Sequence, residues 1–208
     1  MPKATLVNLM NTLNEPRRDD CFTLKNDTYI DVPHGVENLF GDFSHISEKI
    51  VDDPKLEAPL LTYFEIEFLI AKAIERNLLS LGTTAADHYE NTIKSSIKYW
   101  GGTNSEASDY LGQKSIAYAT ASGDYKEKIG MRKWIALYNR GFEAWNSWRR
   151  LDFPVLIASE AAKTNNQKPP HQLTYPTVEL SLNETNLKSA GTAIGGDELE
   201  TKLFWDVN

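Results

Sequence analysis

The chain has 208 residues, enough to bury a substantial core. Its composition, with 41% hydrophobic and 25% charged residues, 12 glycines and 9 prolines, excludes disordered and collagen-like architectures, and no apolar run approaches the ~18 residues of a membrane-spanning helix. A formal net charge of −7 opposes the counterion release on which nucleic-acid binding rests, so nucleic acid is not an expected partner.

Residues 1–58 are interrupted by Pro16, Pro33, Gly35, Gly41 and Pro54 and read as a mostly irregular segment, with a short helix over 4–13 and a brief strand near 22–30. The helical core is expected over 59–153. Thr62 followed by Glu65 has the spacing of a capping box. The helix behind it has apolar residues Tyr63, Ile66, Phe68, Leu69, Ile70, Ala73 and Ile74 around most of its circumference, which predicts a helix deep in the core. Gly82 closes that helix and Thr83-Thr84 opens a second, with Ala86, Tyr89, Ile93, Ile97 and Trp100 along one stripe. So short a link sets the two antiparallel.

A third helix is expected over 105–117 and a fourth from Asp124, with Ile129, Trp134, Ile135 and Tyr138 available for burial. Gly141 separates it from a fifth that includes Phe142, Trp145 and Trp148, and Pro154 ends the regular structure. Residues 154–208 read as a loop-rich tail packed on the core, with one short helix capped by Ser181 and Glu184 and stopped at Gly191. The terminal pair Phe204-Trp205 is expected to be pinned onto the body, because two exposed rings forfeit their burial. The expected fold is mainly α: tetratricopeptide-like helix pairs with irregular loops and few short strands, although no repeat aligns cleanly.

The reactive groups are sparse. Cys21 is the single cysteine, so it forms no internal disulfide, and no nucleophile motif surrounds it. The start lacks a basic-then-apolar leader, and Cys21 follows a polar run at 15–20, so neither a secretory signal nor a lipid-attachment site is expected within this chain. His34, His45, His88 and His171 each stand alone, which argues against a metal centre. Gly101-Gly102 and Gly195-Gly196 lack a phosphate-cradle fingerprint, and no cofactor is expected. With 29 acidic residues, a pair of carboxylates is unavoidable and says nothing of glycoside hydrolysis. Glu65 and Glu67 lie on different helix faces, and for Glu67 a buried pairing with Arg149 or Arg150 is at least as much to be expected as catalysis. The basic run 132–150, with five cations against Glu143, is expected to pair with acidic neighbours in the fold.

Aromatic residues, 5 Trp, 9 Tyr and 8 Phe, exceed what one modest helical core requires, and ring faces that stack on sugar C–H faces are a common basis of carbohydrate binding. Trp145 and Trp148, with Trp134 nearby, read as core. Tyr29, Phe40 and Phe43, on the irregular segment, are the candidates to line a ligand site.

The stretch LTYFEIEFLIAKA closely resembles the central helix of the SusD/RagB family of outer-membrane nutrient-binding lipoproteins. Asn14-Glu15-Pro16-Arg17 resembles the family's Asn-Asp-Pro-Arg segment, and Lys133-Trp134, Trp145, Trp148, Arg149, Arg150 and Pro154 follow the order of its helix pair. Tyr175, Pro176, Glu179, Asn183 and Asn186 are similar to its Tyr-Pro-x-x-Glu segment, and Phe204, Trp205 and Asp206 to its aromatic-Trp-Asp ending. Departures fall at Phe64 and Lys72, where small and acidic residues are commoner in the family; any Glu-dependent salt bridge at position 72 is thereby lost. The matches correspond to the C-terminal half of a full member, without its signal peptide, lipid-bearing cysteine and most N-terminal helices.

The resemblance implies a non-catalytic protein at the cell outer membrane, surface-exposed and held there only through a lipid anchor outside this chain. Such a protein binds oligosaccharide, or peptide in some relatives, and delivers it to a SusC-like TonB-dependent transporter. It implies structural roles for Glu65, Trp145, Trp148, Arg149, Arg150 and Trp205, and no catalytic residue. The alternative is a helical protein-interaction or adaptor module; a glycoside hydrolase ranks last.

Overall fold

The computed structural model describes residues 3–33, 35, 37–159 and 168–206. The chain divides into two compact units, Met1–Pro154 and Val155–Asn208.

In the first unit, three helices, those beginning at Ala85, Asn104 and Tyr125, start where a side chain satisfies the orphan amides of the first turn. Helices α1 (Ala4–Thr12), α2 (Arg18–Cys21) and α3 (Glu48–Val51) lie in the irregular N-terminal segment; α4 spans Tyr63–Glu75, α5 Ala85–Tyr99 and α6 Asn104–Leu111. Thr84 accepts from the Asp87 amide at 3.2 Å while Asp87 accepts from the Thr84 amide at 2.8 Å, a complete capping box for α5. Thr103 and Glu106 do the same for α6. Asp124 accepts from the amides of Lys126 and Glu127 and starts α7 (Tyr125–Ala136), which is followed by α8 (Gly141–Leu151).

The box expected at Thr62 does not form. The Thr62 hydroxyl is buried without a partner among the described residues, and Glu65 is drawn away by the Arg140 guanidinium, Oε2 to Nη1 2.5 Å. A charged hydrogen bond in a dry site outweighs a neutral cap.

Helices α4 and α5 form the principal pair. Phe64 meets Tyr99, ring centroids 5.6 Å apart, and Glu67 meets His88 and Asn91, so the two run antiparallel. Helix α4 is not sunk all round. It buries Phe64, Phe68 and Ala71 together with Glu65 and Glu67, while Tyr63, Ile66 and Leu69 remain open to solvent along one stripe. Helix α5 buries Tyr89, Ile93 and Ile97, as its spacing predicts.

The second pair, α7 and α8, closes on Gly130. A Cβ there would lie 2.9 Å from the Phe153 Cβ and 3.3 Å from that of Leu151, so the missing side chain permits the approach. Trp148 donates its indole N–H to the Pro154 carbonyl at 3.0 Å and ties the end of α8 to the chain beyond it.

The N-terminal segment is bound by a buried ion pair. Arg17 contacts Glu15 twice at 2.6 Å and reaches the Ser96 hydroxyl on α5 at 2.7 Å. In place of the brief strand near 22–30, the described residues show isolated bridges, Phe22 with Ile46 and Lys25 with Thr28. Helix α6 stops at Leu111 rather than near 117, and turns continue to Ala121.

In the second unit, α9 (Glu179–Leu182) and α10 (Glu184–Ala193) are joined at Asn183. Helix α10 runs two residues past Gly191. The Phe204 ring is not pinned: it is 93% exposed, while Trp205 is half-buried. Polar contacts hold this end instead, Asp206 meeting His171 at 3.1 Å and Lys202 at 3.5 Å. Among the described residues no helix is long and apolar enough to cross a membrane.

Candidate functional site

Three segments of the first unit meet around one opening: the loop 56–60 before α4, the C-terminal end of α5, and the turn 138–142 between α7 and α8. They enclose a cavity of about 530 Å³ whose walls include Leu56, Pro59, Leu60, Phe64, Tyr99, Trp100, Tyr138 and Phe142, with Glu57, Asn139, Arg140 and Glu143 as its polar groups. A neighbouring cavity of about 450 Å³ shares Leu56, Glu57, Tyr99 and Trp100 and adds Asp20, Lys49, Asp53 and Lys55. The shared wall makes the two one groove.

Rings line it in succession. Tyr99 lies edge-on to Trp100 at 5.3 Å, and Trp100 is tilted against Tyr138 at 5.4 Å. Tyr138 in turn meets Phe22 in the core at 5.3 Å. Such contacts fix ring planes to within a narrow range and leave outer faces available. Phe142, 71% exposed, flanks the opening and packs against Trp145 at 6.3 Å.

The Trp100 indole N–H is buried without a partner among the described residues. Burial raises the Tyr99 phenol above its ordinary value, and the nearby Glu57 charge adds to the effect. The phenol therefore stays protonated and remains a hydrogen-bond donor.

Arg140 braces the rim. It bonds Glu65 at 2.5 Å, approaches Glu143 at 3.7 Å and donates to the Leu60 carbonyl at 3.0 Å, so one guanidinium joins α4, α8 and the loop. On the far side Lys49 meets Asp20 at 2.6 Å. Apolar ring faces with carboxylate, amide and guanidinium groups at the rim suit a ligand with alternating C–H and hydroxyl surfaces. Among the described residues, no group of three or more His, Cys, Asp or Glu side chains could hold a metal ion.

The residues expected to form a ligand platform lie elsewhere. The Tyr29 hydroxyl donates to Asp19 at 3.0 Å, Arg18 sits 4.6 Å over its ring, and the side chain is half-buried. Phe40 is exposed and stacks on His45, centroids 3.8 Å apart, and Phe43 is half-buried. Ile30 and Ser44 exchange two hydrogen bonds, which sets the Tyr29 segment alongside the one that follows Phe43.

Glu67 does not pair with Arg149 or Arg150. It bonds His88 Nδ1 at 2.8 Å and Asn91 at 3.3 Å, because its helix face points to α5. Arg149 is buried over the Trp145 ring, 3.8 Å from its centroid, and donates to Asn146; Arg150 is exposed. In the basic run, Arg140 finds acidic partners, whereas Arg132 donates to the Ser115 carbonyl. Cys21 is buried, and that burial pushes its thiol far above the range of a reactive thiolate. His34 lies outside the described residues.

A family model described as SusD-like, starch-binding associating with outer membrane, matches residues 2–176. Among solved structures, a SusD homologue from Bacteroides vulgatus has a TM-score of 0.80 at 27% identity, covering 99% of this chain and 49% of that one. Another, from Bacteroides thetaiotaomicron, has a TM-score of 0.76 at 25% identity, covering 99% and 52%. A chitin-binding SusD homologue from Flavobacterium johnsoniae shares the fold, with a TM-score of 0.78 at 24% identity over 99% and 49%. The chain thus spans about half the length of the structures it matches. No curated protein matches it.

Proposed function

We propose, from the premise that this chain belongs to the SusD-like family, that it is a non-catalytic glycan-binding module whose ligand lies in the groove between Leu56–Leu60, Tyr99–Trp100 and Phe142. One observation underlies the reading: a run of edge-packed rings opens onto a cavity rimmed by Glu57, Asn139 and Arg140. Glycan affinity then comes from stacking and rim hydrogen bonds, with no bond broken. As part of a longer surface protein, the chain would present oligosaccharide to a SusC-like TonB-dependent transporter, held at the outer membrane by a lipid anchor outside it.

A second reading has its own support. The solvent-open stripe Tyr63, Ile66 and Leu69 on α4 suits a protein-contact module. Isothermal titration with chito- and malto-oligosaccharides separates the two. Phe142→Ala should weaken binding roughly 3- to 10-fold with melting nearly unchanged, and Tyr99→Ala should weaken it as much with some loss of stability, because the ring also packs on Phe64. Loss on Phe40→Ala, Phe43→Ala or Tyr29→Ala instead would move the site to that platform. No heat with any glycan, together with tight capture by a transporter protein that Tyr63→Ser abolishes, would favour the adaptor.

A further inference from the structure

Helix α4 packs on α5 and α7, and the face it turns away from both is apolar throughout. Tyr63, Ile66, Leu69, Ile70 and Ala73 recur at three- and four-residue steps within one sector of ~120°, opposite the buried Phe64, Phe68 and Ala71. No charged residue falls in that sector. Tyr63 is 60% exposed and Ile66 and Leu69 are each more than a third exposed, while Ile70 and Ala73 are half-buried. The turn after α4 lengthens the stripe. Asn77 takes a left-handed φ of 55°, and the Leu78 amide returns to the Ala73 carbonyl at 2.9 Å, leaving Leu78 68% exposed at the end of the helix.

A helix that is apolar all round belongs inside a larger body. At ~200 Å² for a fully exposed large side chain, Tyr63, Ile66, Leu69 and Leu78 present roughly 400 Å². Ile70 and Ala73 add to it. A standard interface takes ~800 Å² from each partner, about two thirds of it apolar in homodimers, so the stripe supplies most of the apolar share of one such interface. A saccharide does not suit it, because no polar side chain in the sector except the Tyr63 phenol could hold a hydroxyl. Self-pairing does. About a two-fold axis beside residue 68, antiparallel copies of α4 set Tyr63 of one against Ala73 of the other, the largest side chain of the stripe against the smallest, and Ile66 against Ile70. This pairing buries no charge from the stripe and sets the two helix dipoles in opposition.

We propose that the outward face of α4 is a homodimer interface, occupied by α4 of a second copy running antiparallel. The inference rests neither on the groove nor on a ligand.

Sedimentation equilibrium of the full chain over a concentration series tests it. A reversible monomer–dimer equilibrium with a Kd of about 1–100 µM is expected. Ile66→Glu sets a carboxylate against the partner's Ile70 twice in each dimer and should weaken association at least ~30-fold. Leu69→Cys keeps the test alive if that variant fails to fold. The two introduced thiols lie close across the axis, so mild oxidation should give a covalent dimer, whereas Lys94→Cys on the polar face of α5 should not. Cys21 is buried and stays out of that reaction. A monomer at every concentration would overturn the proposal and leave the stripe to a different polypeptide. Association that Ile66→Glu leaves unchanged, or equal cross-linking from positions 69 and 94, would overturn it as well.

Discussion

Replacing Arg17 by methionine asks whether the buried ion pair secures the N-terminal segment to α5. Both partners are almost inaccessible, at 1% and 0% side-chain exposure, and the pair is bidentate with two 2.6 Å contacts. Methionine keeps much of the alkyl volume but strands the Glu15 carboxylate inside the protein and removes a 2.7 Å bond to Ser96. Breaking a buried pair costs about 3–5 kcal/mol. At ~2–4 °C per kcal/mol for a chain of this size, Tm should fall by roughly 6–20 °C. The double variant Glu15→Leu/Arg17→Met removes both charges and should recover most of that loss, since apolar replacements of buried pairs are often neutral.

Acid supplies an independent check. Burial alone would raise the Glu15 carboxyl, but the Arg17 guanidinium outweighs it and holds the group below the usual carboxylate range. A depressed carboxyl stabilises fully above its unfolded value of about 4.3, and that contribution is lost as pH falls through the lower folded value. In Arg17→Met burial without the guanidinium raises the stranded carboxyl, so the gap to the parent should begin to narrow above the ordinary value of about 4.3 and go on narrowing until pH falls through the parent's lowered value. Urea denaturation at about pH 7 and about pH 3 measures both effects. A Tm within about 2 °C of the parent, or a gap independent of pH, would refute the reasoning.

Thr84→Ala and Thr103→Ala should each cost about 0.5–2 kcal/mol through a lost capping box, read by denaturant melts, whereas Thr62→Val should be neutral or stabilise by up to about 1 kcal/mol because its buried hydroxyl has no partner. Gly130→Ala should destabilise by about 1–2 kcal/mol, since crowding against Phe153 and Leu151 exceeds the gain in helix propensity; a rise in Tm would contradict the close approach of α7 and α8. Arg149→Ala should lower stability more than Arg150→Ala, because Arg149 is buried over Trp145 while Arg150 is exposed; equal losses in urea melts would count against this.

Where a helix is apolar on one stripe and polar elsewhere, its placement can be read from local spacing. Helix α5 is such a case: Tyr89, Ile93 and Ile97 recur at four-residue steps and are buried. Helix α4 is not, because apolar residues surround it and spacing cannot select a face. Its buried face is chosen by partners distant in sequence: Arg140 for Glu65, 75 residues on, and His88 for Glu67. Lys72 stands out in the sequence only as a departure from the family it resembles, and its grouping with Lys133 and Arg150 depends on how α4, α7 and α8 pack. The groove escaped sequence reading for the same reason. Trp100 reads as the end of a core stripe and Tyr99 falls outside it, and nothing local shows that residues 56–60 and 138–142 come beside them.

The inverted burial of α4 also bears on recognition. Glu65 faces inward and holds Arg140, and Arg140 holds the Leu60 carbonyl, so the loop at one wall of the groove is tied to a carboxylate that does not line it. Glu65 is therefore a positioning residue for the groove. Its loss should loosen the Leu60 wall and weaken binding even where Tyr99 and Trp100 stay in place, whereas loss of Tyr99 removes a contact and leaves the wall intact. The two routes separate in the free protein: loosening should speed amide exchange at 57–61 without ligand, and ring removal should not. If both variants leave exchange there unchanged, Arg140 and Glu65 serve the helix pair alone, and the shape of the groove rests on its rings.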